Sequence, residues 1–281
     1  MREIPASTII DTVAKLCRQA NSVLPEDVLR ALEAAYQKEK NDTAREILGQ
    51  ILQNARLAGQ KDIALCQDTG IADVFVKLGQ KAEVTGGSLK DAVNKGVAEG
   101  YTKGYLRKSI VAEPLLYRHN TGDNTPANIY YESAEGDKIE VTVLPKGGGT
   151  ENSSALVMLT PQAGWQGVKS FILELVKSKG IGACPPLVVG VGIGGSFSTV
   201  AALAKKALLR PLGERSKDAF YKEKELELFK DINSLGIGPM GMGGGTTALG
   251  VNIEFAPCHI ASLPVAVSMQ CHSLRRKTQI I

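Results

Sequence analysis

The sequence predicts a mixed α/β (α+β) fold with its helices concentrated early, and three observations lead there. Apolar residues recur at three- and four-residue spacing through much of the first 110 residues; β-branched and aromatic runs begin at Asn128; helix and strand signals then alternate toward Ile281. The expected organisation is one domain spanning 1–281, with a helical portion at about 1–110 packed on a mixed α/β portion at about 111–281. A chain of this size can bury a substantial core.

Three helices open the chain. "STIIDTVAKLCRQANSVL" begins on a Ser/Thr cap signal, "PEDVLRALEAAYQKEK" begins on Pro with acidic residues in its first turn, and "NDTAREILGQILQNARLAGQ" closes near a Gly. A strand, "DVFVKLG", follows, then a helix from about Ser88 to Gly104. "NIYYES", the turn "AEGD" and "KIEVTVLPK" read as a β-hairpin. "GVKSFILELVKSKG" is a helix closed by Gly180, "PLVVGVGI" a buried strand, and "FSTVAALAKKALL" and "KDAFYKEKELELFKDINSLG" two more helices. "TTALGVNIEFA" and "LPVAVSMQC" supply the last strands.

Composition narrows function. With 33 Lys+Arg against 29 Asp+Glu and only 5% aromatic residues, nothing marks a nucleic-acid binder. The N-terminal "MREIPASTIIDTVAKLCRQA" lacks the features of a signal peptide, and no window approaches the roughly 20 apolar residues of a membrane span. Five widely spaced cysteines do not resemble a secreted disulfide framework, so a reducing, cytoplasmic setting is expected.

"GVGIGG" at 190–195 matches the spacing of a dinucleotide-binding loop and lies between a strand and a helix. That motif also needs a second strand ending in an acidic residue, and here the next segment is charged and helical. The glycines are left to pack helix on strand or to admit an anion.

The thiols carry more information. Cys17 lies on the apolar face of the first helix, where it reads as core filler. Cys66 ends an apolar run before "QDTG", Cys184 sits between a Gly-rich turn and two prolines, and Cys271 ends a strand. Each is at an element terminus, where a side chain can enter a shared cavity. The absence of any C-x-x-C pair speaks against zinc ribbons and ferredoxin-type clusters. Spacing alone leaves two readings: three thiolates around a cubane with one iron open, or unlinked thiols. Cys258, beside Pro257 and without a turn signal, is the weaker ligand.

Other polar groups suit an acid substrate. Arg107 in "LRKS" offers a carboxylate fork, although such a residue near a helix end also serves as a surface or dipole charge. "KGGGTENSS" can present backbone N–H groups to an anion, and His259 in "PCHIASLP" can serve as acid, base or structural histidine. His119 and His272 read as structural.

Taken in order, "CQDTG", "LRKS", "NTGDNTPANIY", "KGGGTENSS", "GACPPLVVGVGIGGS", "GIGPMGMGGGTTALGVNI" and "HIASLPVAVSMQCHSLRR" resemble the class I iron-sulfur fumarate hydratase and L-tartrate dehydratase family, in particular its α subunit or N-terminal domain. The resemblance covers about residues 60 to 276. It implies a [4Fe–4S] cluster on Cys66, Cys184 and Cys271 with one open iron, and a dicarboxylate pocket lined by Gln67, Asp68, Arg107, Gly148, Gly149 and His259. Asp68 and His259 are the implied proton-handling residues, with His259 reaching a neighbouring protomer's site. Single-chain members continue into a second domain, whereas Ile281 lies ten residues after Cys271. A β subunit is therefore the implied partner, in an α2β2 assembly, with the main base on that subunit. The leading expectation is reversible hydration of fumarate to L-malate. L-tartrate dehydration is the alternative, and a non-catalytic iron-sulfur or regulatory module the third reading.

Overall fold

Helical periodicity does produce α1 (Ala6–Ser22), α2 (Glu26–Lys38) and α3 (Asp42–Lys61) in the computed structural model, which describes residues 1–281. The chain divides into two units, each discontinuous in sequence. Met1–Pro25, Ala55–Gly148 and Arg275–Ile281 form the first; Glu26–Asn54 and Gly149–Leu274 form the second.

In the first unit a parallel pair, β1 (Arg2–Pro5) and β3 (Ala82–Thr85), accompanies a four-stranded sheet of β2 (Ile71–Gly79), β4 (Asn128–Ala134), β5 (Ile139–Lys146) and β10 (Lys277–Ile280) in the order β10-β5-β2-β4. Helix α4 (Leu89–Lys103) starts where the sequence signals it. Ser88 caps it by accepting the Asp91 N–H at 3.1 Å, and Gly104 follows its last turn. Ile9, Val13 and Leu16 of α1, Val93 and Val97 of α4, and Val74, Val76, Val141 and Val143 of the sheet make one core.

Close contact between α1 and α4 depends on glycine. A Cβ on Gly96 would lie 2.6 Å from that of Val13, and one on Gly100 would lie 2.8 Å from that of Cys17. Gly96→Ala is expected to destabilise the protein by about 1–3 kcal/mol in a denaturant melt, because overpacking outweighs the ~1 kcal/mol gain in helix propensity.

The expected hairpin is not formed. β4 pairs in parallel with β2, β5 pairs with β2 in antiparallel fashion, and β2 lies between them. The "AEGD" connection instead passes across the end of β2, where Gly79 N–H donates to Lys138 O at 2.9 Å and Lys81 N–H to Gly136 O at 2.8 Å. Gly79 makes the crossing possible, since a Cβ there would stand 2.7 Å from both carbonyls. Apolar β2, with Ala72, Val74 and Val76 buried, gains more as a central strand than at an edge.

The second unit holds a sheet of β6 (Ala155–Leu159), β7 (Leu187–Gly194), β8 (Ala248–Ala256) and β9 (Leu263–Gln270) in the order β6-β9-β7-β8. Helices α6 (Gly164–Lys179) and α8 (Ala219–Ser234) contribute Val168, Ile172, Leu228 and Ile232 to its core. Helix α7 (Val200–Ala207) packs on β7 through the glycines of "GVGIGG": a Cβ on Gly190 would lie 2.3 Å from Ala204 O, and one on Gly192 would lie 2.4 Å from Val200 O. Helix–strand packing thus occupies the residues that imitate a dinucleotide loop. No helix is long and apolar enough to cross a membrane.

Candidate functional site

Four of the sequence motifs meet at one end of the first unit's sheet. Ile71 opens β2 opposite Lys146, which closes β5, so "CQDTG" before one strand and "KGGG" after the other are neighbours. Gly70, at φ +69°, completes the turn; a side chain there would run into Lys146 O at 2.4 Å. Asp68 is held from both sides: Oδ1 accepts the Gly70 N–H at 3.1 Å, and Oδ2 accepts the Gly148 N–H at 2.7 Å. The first amide of the short helix α5 (Gly148–Asn152) is therefore already engaged by a carboxylate.

The other two motifs are tied to the same turn. Thr69 Oγ1 donates to Arg107 O at 2.8 Å, which fixes the "LRKS" backbone while the Arg107 side chain is exposed. Buried Asn124 donates through Nδ2 to Gly70 O at 3.1 Å and accepts the Ser109 N–H through Oδ1 at 2.6 Å. Tyr101 donates its hydroxyl to Thr69 O at 2.8 Å, and burial raises its pKa, so it stays a neutral donor. Leu65 N–H donates to Asn21 O at 2.8 Å. The turn is thus anchored along its length, while Cys66 and Gln67 are exposed. Sequence reasoning missed Tyr101, Asn124 and Arg275, whose Nη2 donates to Asp68 O at 3.0 Å. An Asn two residues before a Pro was the one local hint; Arg275 in "SLRRKT" looks like a surface charge.

In the second unit Cys184 and Cys271 come to a common edge. Cys184 lies three residues before β7 and Cys271 directly after β9, and Val188 pairs with Gln270, so both stand at the same end of the strands. Cys184 adopts the left-handed conformation at φ 55°, which costs about 1 kcal/mol or more for a residue other than glycine. Its turn is tied down by its own N–H to Ile181 O at 3.1 Å, by the His272 N–H to Cys184 O at 3.4 Å, and by the Met240 N–H to Pro185 O at 2.8 Å. The His272 ring approaches the same Cys184 carbonyl at 3.1 Å through Nδ1. Gly149 belongs to this end too, since a Cβ there would meet Gly182 O at 2.6 Å.

His259 and Cys258 are at the other end. β8 runs parallel to β7 from Leu187↔Ala248 to Gly194↔Ala256, so the segment after β8 is one strand length from Cys184, ~25 Å for eight residues at ~3.3 Å each. His259 is exposed; its Nδ1 accepts the Ala261 N–H at 3.1 Å, which leaves Nε2 to carry the proton of the neutral ring. It lines a pocket of about 380 Å³ with Trp165, Tyr221, Cys258 and Leu263.

The donors on hand are thiols, the ligands an iron-sulfur group takes. No disulfide joins any cysteine, Cys66 and Cys184 are exposed, and Cys271 is half-buried. Cys17 is excluded because burial pushes its pKa from 9.0 up to about 12, and only a thiolate binds metal. In the metal-free protein, iodoacetamide at pH 8 is expected to modify every cysteine except Cys17, as counted by mass spectrometry. A Cys17 adduct without denaturant would contradict its burial. From pH 9 to about 12 the unfolded chain ionises Cys17 while the folded chain does not, so native stability falls across that window.

A family model described as "Fumarate hydratase (Fumerase)" matches residues 10–280. The chain is 44% identical over 275 residues to a Methanocaldococcus jannaschii protein provisionally named L(+)-tartrate dehydratase subunit alpha, covering 95% of each chain. It is 33% identical over 277 residues to the L(+)-tartrate dehydratase subunit alpha of Escherichia coli K12, covering 97% of this chain and 90% of that one. A protein of the same name from E. coli UTI89 is 34% identical over 274 residues.

Proposed function

The chain belongs to the fumarate hydratase (Fumerase) family, and on that premise we propose that it is the α subunit of an L(+)-tartrate dehydratase, a hydro-lyase that removes water from a hydroxy-dicarboxylate. The names carried by relatives over nearly their whole length favour tartrate over the fumarate expected from sequence. The observation that carries a hydro-lyase site is the anchored Cys66–Gln67–Asp68 turn, which sets a thiol, an amide and a fixed carboxylate side by side at one sheet end.

Cys66, Cys184 and Cys271 are assigned to a [4Fe–4S] cluster, which when bound supplies an open iron as Lewis acid for the departing hydroxyl. Asp68 holds or moves a proton through Oδ1 or Oδ2, each of which keeps a free lone pair beside its amide donor. Arg107 presents its guanidinium to a substrate carboxylate as a bidentate fork, and exposed Gln67 hydrogen-bonds the substrate. Gly148 serves by holding Asp68, and Gly149, the next residue, by letting its segment approach the Cys184 turn. His259, a strand length away from Cys184, is assigned to the site of a second copy in an α2β2 assembly with a β subunit that supplies the main base.

Fumarate hydration is the second reading, favoured by the family description. Anaerobic co-purification with the partner, followed by assays of oxaloacetate formed from L(+)-tartrate and of fumarate absorbance, separates the two. Faster turnover of tartrate is expected; preference for fumarate and malate makes the second reading correct. A cluster-loaded complex that turns over neither acid rejects the enzyme.

A further inference from the structure

Arg275 is the largest fully buried side chain of the protein, at 1% exposure, and it has no carboxylate partner. Nη1 donates to Asn21 Oδ1 at 2.9 Å, and Nη2 donates to Asp68 O at 3.0 Å. Nε is buried with no hydrogen-bond partner at all. Asn21, itself fully buried, is committed elsewhere, donating through Nδ2 to Cys17 O at 2.9 Å. Two neutral oxygens therefore face a permanent positive charge. Arginine cannot relieve this by losing its proton. A buried cation left in such a state is costly unless an anion offsets it.

No carboxylate of the first unit forms an ion pair with Arg275, and the guanidinium grips the turn that carries Cys66. Asp68, whose carbonyl Arg275 holds, stands two residues from Cys66, and both Asp68 carboxylate oxygens already accept backbone amides. Asn21 links the two ends of the turn, since its carbonyl accepts the Leu65 N–H while its amide oxygen accepts Arg275. We infer that Arg275 is the positioning residue and counter-charge of the Cys66 thiolate in its cluster-bound form: it fixes the Cys66–Asp68 turn and offsets the negative charge that this thiolate brings. The inference rests on the assignment of Cys66 as a cluster ligand.

Arg275 also acts on redox poise, because a fixed positive charge favours the more reduced state of a nearby cluster. The test compares wild type, Arg275→Met and Arg275→Lys, each as the full chain with its co-purifying partner, after anaerobic reconstitution with iron and sulfide. Three readouts are taken: the midpoint potential in a mediated dithionite titration, the half-life of the visible absorption under a chelator, and KM. For Arg275→Met the potential is expected to move to more negative values and the half-life to shorten by about 10- to 100-fold, the usual effect of losing a partner behind a metal ligand. The metal-free Arg275→Met chain should melt no lower than metal-free wild type, because it sheds an uncompensated charge; a purely structural arginine would give the opposite result. Arg275→Lys keeps the charge and should hold a potential close to wild type. If Arg275→Met does not fold, Arg275→Lys carries the test, and a wild-type-like potential supports the inference while a clear negative shift overturns it. Unchanged potential and retention in Arg275→Met, or a rise in KM alone, also overturn it, the latter by assigning the charge to the substrate. A wild-type chain that takes up no cluster defeats the Cys66 assignment and the inference with it; a loaded wild type matched by Arg275→Met defeats the inference alone.

Discussion

Replacing Cys184 by alanine is expected to abolish the broad visible absorption of the anaerobically reconstituted protein and to lower turnover at least ~100-fold. Lewis-acid catalysis contributes several kcal/mol, and each ~1.4 kcal/mol is a factor of ten in rate. The informative control is Cys258→Ala. Cys258, like Cys184, is exposed, but it lies after β8, at the far end of the strands from Cys184 and Cys271, with its Sγ turned to Ser262 O at 3.4 Å. It should leave both absorption and turnover intact. If instead Cys258→Ala bleaches the protein and Cys184→Ala does not, the cluster has been assigned to the wrong end of the sheet.

Asp68→Asn should cost about 10²- to 10⁴-fold in kcat, the usual contribution of a positioned acid or base. The amide oxygen can replace only one of the two carboxylate acceptors. It should keep the shorter bond, from Gly148 at 2.7 Å, and turn its NH2 toward the Gly70 N–H. A stability loss of about 1–3 kcal/mol is therefore expected beside the kinetic one. The visible spectrum should be retained, because Leu65, Asp68 and Thr69 remain tied to Asn21, Arg275 and Tyr101 through backbone groups that the substitution does not touch. A variant with wild-type kcat removes Asp68 from the proton-transfer step.

Much of this was legible from local signals. The Ser88 cap, the Gly104 stop and the apolar periodicity of α1 and α2 are properties of neighbouring residues, and the helices form there. The motif turns could be located for the same reason, each being a turn with its polar residues set out in order. What escaped depends on distant pairing. β4 and β5 look like a hairpin because four residues separate them, yet β2, more than fifty residues upstream of β4, lies between. The short strands β1, β3, β6 and β10 have too few residues for a period to stand out. Arg275 reads as one more surface charge until Asn21 and Asp68, more than two hundred positions away, close over it. The division into interleaved units is likewise a product of packing, with no linker in the sequence to announce it.

The last strand ties order in the Cys66 turn to closure of a sheet. β10 adds to the edge of β5, and Ile281 exchanges backbone hydrogen bonds with Ile139 at 2.8 and 3.2 Å, so the first unit's sheet is completed by a segment far downstream of its other strands. Arg275 arrives with the same segment. Without that segment the Cys66 turn lacks its guanidinium and the sheet has an open edge. A chain in which β10 has not docked therefore carries Cys66 on a turn held less firmly than in the folded unit.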